Sequence, residues 1–143
     1  MKLHDIEKNF LSSQEVAEVL TNLESDNNWV SNIYAPLRST GDIRYFPILE
    51  NIYKTQFSKF NLLDNRIYFT RYTKDTQCFE HKDPCRFTVL VILQKAELGG
   101  EIKVNETIFD PGVGDALMIR GSDTHEILTI NQGQRLSLAF WLY

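Results

Sequence analysis

From Arg66 onward the hydrophobic period of the chain changes from helical to two, and this change most limits what it can become. Short runs rich in β-branched and aromatic residues alternate with turn formers: RIYFTRYT, CFEHK, RFTVLVILQ, EIKV, TIFD, DALMIR, HEILTI and QRLSLAFWLY. They read as eight strands. Ahead of them, Ser12 and Glu15 form a capping-box pattern, and Val16, Val19, Leu20 and Leu23 recur at helical spacing, which predicts a helix over 13–24. Pro47 suits the first turn of a second helix, with Ile48, Leu49, Ile52, Tyr53, Phe57 and Phe60 on one apolar face. Two helices followed by eight short strands predict a mainly β, α+β chain in which helices support a double-stranded β-helix, or jelly roll.

At 143 residues and 43% hydrophobic content the chain has material for one core. The expected organisation is one domain, with 1–62 as helical support and substrate loop and 66–143 as jelly-roll core. A net charge of −4 and the lack of a basic block exclude a general nucleic-acid partner. No apolar run of membrane-spanning length occurs and the first ten residues, MKLHDIEKNF, lack a secretory core, so a cytoplasmic protein without a membrane partner is expected. Cys78 and Cys85 are expected as reduced thiols.

The chemistry-bearing stretch is CFEHKDPC, residues 78–85. In an extended chain, residues two apart share a side, so His81 and Asp83 point together while Cys78, an odd number of residues from His81, points away. Pro84 keeps Asp83 out of the helical region. Of the two other histidines, His4 is assigned to a mobile terminus, whereas His125 opens the run HEILTI. Two histidines and one carboxylate match the facial triad that holds Fe(II) while leaving coordination positions open. Alone, His-x-Asp more often marks exposed polar residues on a strand.

The last two runs, paired as a hairpin around 131–133, would set Ile130 opposite Gln134, Thr129 opposite Arg135, Ile127 opposite Ser137 and His125 opposite Ala139. His125, Arg135, Ser137, Ala139 and Trp141 would share one face. Arg135 would then sit roughly 13 Å of strand from the level of His125. A short dicarboxylate fits that gap, gripped at its far end by the guanidinium with help from the Ser137 hydroxyl.

On these residues the stretch from about 66 to 143 resembles the Fe(II)- and 2-oxoglutarate-dependent oxygenases, most closely the prolyl 4-hydroxylase-like group. The matching string is Tyr72, His81-x-Asp83, Gly99-Gly100-Glu101, Pro111, Gly114-Asp115-Ala116, His125, Gly133, Arg135 and Trp141. The resemblance implies iron ligands at His81, Asp83 and His125, and a distal-carboxylate grip at Arg135 and Ser137. It places Tyr72 beside cosubstrate and substrate, and Trp141 beside the distal histidine.

It also implies a dioxygenase that uses O2 to hydroxylate a C–H bond of a prolyl or other amino-acid side chain, releasing succinate and CO2. Ascorbate is expected as an activity support, and the substrate is a peptide or a small molecule. Two features depart from the pattern: Ile92 stands where the family often has a tyrosine, and YTKDTQ lacks the glycine common after Tyr72. Trp29, Tyr34, Arg38 and Arg44, in the polar stretch 26–45, are the candidate substrate contacts. The alternatives are a cupin-like metal protein, suggested by DPGVGDALMIRGSDTH, and a non-catalytic jelly-roll module.

Overall fold

The computed structural model describes residues 1–25, 28–31 and 37–143. The elements are β1 (Ile6–Glu7), α1 (Ser13–Glu24), β2 (Leu37–Asp42), α2 (Pro47–Ile52), β3 (Arg66–Tyr72), β4 (Cys78–His81), β5 (Phe87–Gln94), β6 (Leu98–Gly99), β7 (Ile102–Val104), β8 (Thr107–Phe109), β9 (Ala116–Arg120), β10 (His125–Ile127), β11 (Ile130–Gln132) and β12 (Arg135–Leu142). Helix α1 starts where the capping box places it: the Glu15 amide donates to Ser12 Oγ and the Ser12 amide to Glu15 Oε1. Its buried face is Val16, Val19 and Leu23.

The second helix is shorter than its apolar pattern suggests, because a wider π turn over Tyr53–Phe57 follows α2. Thr55 Oγ1 donates back to the Asn51 carbonyl (2.8 Å), the kind of side-chain competition that bends a helix. Phe57 is still delivered to the core.

All strand pairs described here are antiparallel. The large sheet has the order β1-β9-β5-β12-β3-β2 and the small one β4-β10-β7-β8, with β6 and β11 forming a separate pair. Followed along the chain, the eight expected runs alternate between sheets: β3 large, β4 small, β5 large, β7 and β8 small, β9 large, β10 small, β12 large. That alternation is the jelly roll.

Two expectations about pairing fail. Residues 37–42 read as irregular loop because Ser, Thr, Gly and Asp are turn formers, yet they form an edge strand paired with β3, from Leu37 opposite Arg71 to Asp42 opposite Arg66. Gly41 fits there because a Cβ would lie 3.0 Å from the Phe69 ring. The terminal hairpin does not form either. β12 has both edges occupied, by β3 and β5, while β10 pairs with β4 and β7 in the opposite sheet. HEILTI breaks after Ile127, where the Leu128 amide turns to the Glu101 carbonyl and the Ile130 amide to that of Thr76. His125 therefore faces Arg135 from the other sheet.

Two apolar clusters follow from the parity of β12. Leu136, Leu138, Phe140 and Leu142 join Val16, Val19, Leu49 and Phe57 beneath the helices. Ala139 and Trp141, on the other side, join Tyr68, Tyr72, Ile92 and Ile127 between the sheets. Phe69 and Phe140 are completely buried, and truncating either to Ala would cost about 3–5 kcal/mol. Among the described residues no helix is long and apolar enough to cross a membrane.

Candidate active site

The space between the sheets holds a cavity lined by all six expected site residues: Tyr72, His81, Asp83, His125, Arg135 and Ser137. At one end, His81 closes β4 and is in register with His125, the first residue of β10. Their rings lie 4.3 Å apart between centroids. Asp83 follows the strand and turns one oxygen to each: Oδ1 is 3.5 Å from His81 Nε2, and Oδ2 is 3.3 Å from His125 Nε2. One ligating atom from each of the three residues falls within 4.8 Å of the others.

The ring tautomers follow from the carbonyls behind them. His81 Nδ1 lies 2.8 Å from the Phe79 carbonyl and His125 Nδ1 lies 2.9 Å from that of Asp123. A carbonyl only accepts, so each Nδ1 carries a proton and each Nε2 is left as the atom that faces Asp83 and that a metal would take once it is free of a proton. Asp83 is fixed twice, by its amide donating to the Gly121 carbonyl (2.9 Å) and by Thr88 Oγ1 donating to Oδ2 (2.6 Å). A Cβ at Gly121 would fall 1.9 Å from the Cys85 carbonyl, so only glycine lets these two loops approach.

Burial would raise the Asp83 carboxyl, but hydrogen bonds from His125, His81 and Thr88 outweigh it and hold the group well below the usual carboxylate range. Burial likewise opposes charge on His81. The Asp83 hydrogen bond, with Cys78 and the Phe79 carbonyl, reverses that effect and raises the imidazole to about 10. Cys85, 3.2 Å from Thr88 Oγ1, is pushed up to about 11, chiefly by burial.

Cys78 is not turned away, as strand parity predicted; its Sγ lies 3.4 Å from His81 Nδ1 and lines the cavity. The reason is a bulge. Cys78 pairs with Ile127 and His81 with His125, so three steps on β4 span two on β10 and an odd spacing returns to the same side. His4 is not in a loose terminus either: its Nε2 lies 2.6 Å from Asp123 Oδ2 and its amide donates to the Met118 carbonyl. It thus braces the loop whose carbonyl orients His125. Thr88, Gly121 and Asp123 carry no sequence motif; only contact across strands reveals them.

At the other end Arg135 is 2% exposed. Its Nη1 donates to Ser137 Oγ (3.2 Å), which is 2.8 Å from Thr70 Oγ1, and its guanidinium lies 5.7 Å from the centre of the Tyr72 ring. Nη2 is buried with no hydrogen-bond partner, and among the described residues no carboxylate pairs with the group. Burial pulls its pKa below the ordinary arginine value and pushes that of Tyr72 up. An unsatisfied buried donor costs about 1–3 kcal/mol, more when charged, so this end is suited to an anion. Gly100 makes room for the Arg135 stem: a Cβ there would meet Ile130 at 2.6 Å and the Arg135 stem at 3.3 Å.

Of the four candidate substrate contacts, Arg38 reaches the cavity. Arg44 is engaged by Asp42, with Nη2 to Oδ2 at 2.6 Å, and Trp29 stacks under Arg71 at 4.3 Å. Tyr34 lies outside the described residues. Trp141 packs on Tyr68, ring centroids 4.3 Å apart, along the cavity wall. Ile92 is opposite Ser137 and buried in the inter-sheet cluster. A more open groove beside Phe57, Phe60 and Met118 collects no set of ligating side chains.

The donor set therefore suits a divalent metal, and the orphaned guanidinium suits a carboxylate beyond it. No family model matches the chain, and no curated protein matches it in sequence. Solved structures do match. A viral collagen prolyl hydroxylase of Paramecium bursaria Chlorella virus-1, in complex with 2-oxoglutarate, superposes with a TM-score of 0.83 at 15% identity, over 99% of this chain and 96% of that one. A Pseudomonas putida prolyl 4-hydroxylase gives 0.74 at 16% identity, over 96% and 90%. A Burkholderia pseudomallei oxidoreductase of the 2-oxoglutarate–Fe(II) oxygenase family gives 0.69 at 16%, over 93% and 79%. At such identities the likeness is one of fold, and this chain has the fold of the Fe(II)- and 2-oxoglutarate-dependent oxygenases, prolyl 4-hydroxylases among them.

Proposed function

We propose that the protein is an Fe(II)- and 2-oxoglutarate-dependent dioxygenase that hydroxylates a C–H bond. The observation that carries this reading is the pairing, across one cavity, of two inward-facing Nε2 atoms and a carboxylate with a buried guanidinium nitrogen that lacks an acceptor. When bound, iron with 2-oxoglutarate supplies O2 activation coupled to decarboxylation, yielding succinate, CO2 and a hydroxylated product.

The chain supplies the rest. His81, Asp83 and His125 hold the metal, and the carbonyls behind the two rings fix their direction. Arg135 and Ser137 grip the distal carboxylate, while Tyr72 and Thr70 border it. Leu90, Ile127 and Ala139 form apolar wall that keeps water from the reacting carbon. We take residues 1–143 as one catalytic domain, with 66–143 as its core and 1–62 as support, because the helices share a buried cluster with the large sheet. The free thiols of Cys78 and Cys85 fit a reducing compartment, and on that ground we place the protein in the cytoplasm.

Amino-acid chemistry is the substrate field, prolyl groups first, by likeness to the prolyl hydroxylases named above. The test is succinate formation from 2-oxoglutarate under O2, with a gain of one oxygen on substrate by mass. Turnover should disappear in His81→Ala; wild-type rates in that variant would defeat the ligand assignment.

A further inference from the structure

Within that reading, the substrate itself has a charge requirement. Across the large sheet, Arg38 of β2 is in register with Thr70 of β3, and Thr70 with Ser137 of β12. The side chain does not stay in that row. Its guanidinium carbon lies 4.0 Å from the centre of the Tyr68 ring and 5.2 Å from that of Trp141. Tyr68 is opposite Ala139, one row nearer the metal end, and Trp141 is opposite Thr88, whose hydroxyl holds Asp83. Arg38 therefore leans over two aromatic rings toward the triad, away from Arg135.

Stacking occupies the face of a guanidinium and leaves its edge, where the paired N–H donors sit. Arg38 is half-buried and lines the cavity, and among the described residues no carboxylate forms an ion pair with its guanidinium. Arg44, Arg66 and Lys54, by contrast, each have an acidic partner on the surface. The cosubstrate's distal carboxylate already has its own buried cation at the opposite end. A second cation, stacked on two rings and without an acidic partner among the described residues, lines the same cavity.

We propose that Arg38 is a specificity residue that seats a carboxylate of the substrate, so that the molecule hydroxylated is carboxylate-bearing, as a free amino acid is, rather than the neutral interior of a peptide. The proposal rests on the oxygenase reading of the site. A planar carboxylate completes the guanidinium edge with two parallel hydrogen bonds and presents the substrate carbon toward the triad.

The test compares free amino acids, proline included, with their own carboxamides, and neutral with acidic prolyl peptides, on the wild-type protein and on Arg38→Met. Binding is read anaerobically on protein loaded with Fe(II) and 2-oxoglutarate, as a change in the iron-to-cosubstrate absorption band; turnover is read as oxygen gained by mass. Free acids should bind at least about ten-fold better than their amides, and Arg38→Met, which keeps the apolar stem, should erase that ratio. If acidic peptides bind and free acids do not, the carboxylate seat stands and its source is a peptide side chain. Equal binding of acid and amide, preference for neutral prolyl peptides, a ratio that survives in Arg38→Met, or loss of the cosubstrate band itself in that variant would each overturn the proposal. A wild-type protein with no band at all would instead deny the oxygenase reading. The seat would then be tested by calorimetric titration of the free acids into metal-free protein, where equal heats from wild type and Arg38→Met would overturn it.

Discussion

At the metal end of the cavity the polar groups satisfy one another before any ligand arrives: Asp83 is shared by His81, His125 and Thr88, and the rings are backed by carbonyls. At the Arg135 end one buried guanidinium nitrogen has nothing to donate to among the described residues. The first end is a preassembled set that an ion enters by displacing a proton and loosening an ion pair; the second is an incomplete set whose unmet donor weighs on the folded state until an anion comes. Both serve binding, but substitutions should separate them by the sign of their effect on the empty protein.

The largest effect is expected from Asp83→Ala, which removes a ligand and leaves two facing imidazoles without their shared carboxylate. Metal binding should be lost, turnover should fall more than about 1,000-fold, and the metal-free protein should melt lower. Arg135→Gln sharpens the contrast. Affinity for 2-oxoglutarate should fall about 100-fold or more, since truncating a buried charged donor costs about 2–5 kcal/mol, while metal affinity is retained. The metal-free protein should be no less stable than wild type, because the variant removes an unsatisfied buried cation. Calorimetric titration and thermal melting check both halves.

Thr88→Val is smaller: losing the 2.6 Å hydrogen bond to Asp83 should weaken metal binding about 10- to 100-fold without unfolding the chain. Most gradual is the pH response. His81 is raised from 6.5 to about 10, so its contribution to the stability of the metal-free protein is fully present below 6.5 and is lost as pH rises through about 10. Metal must displace that proton, so metal affinity should climb over the same window while metal-free stability declines. Melting of metal-free protein and Co(II) titrations across it should show opposite slopes.

How much of this was legible in the sequence depended on whether a feature is local. The period-two runs, the Ser12–Glu15 cap and the inward parity of Arg135, Ser137 and Trp141 each depend on near neighbours, and all appear in the fold. Strand partnership is not local. HEILTI and QRLSLAFWLY are adjacent in sequence but lie in opposite sheets, because β3 and β5 already occupy both edges of β12. His125 reaches the cavity all the same, by a route the hairpin did not foresee.

The bulge that turns Cys78 back toward His81 has no residue signature, since it appears only in the register against Ile127. The edge strand 37–42 was obscured by its own polar residues, which an edge tolerates. Thr88, Gly121 and His4 act through contacts formed only once distant loops meet.

The most direct test is an anaerobic visible absorption titration in which Fe(II) and then 2-oxoglutarate are added to metal-free protein, with Arg135→Ala alongside. The account predicts a weak iron-to-cosubstrate charge-transfer band that appears on the second addition and is diminished in the variant. Metal binding with no such band, or a band unchanged in Arg135→Ala, would contradict it.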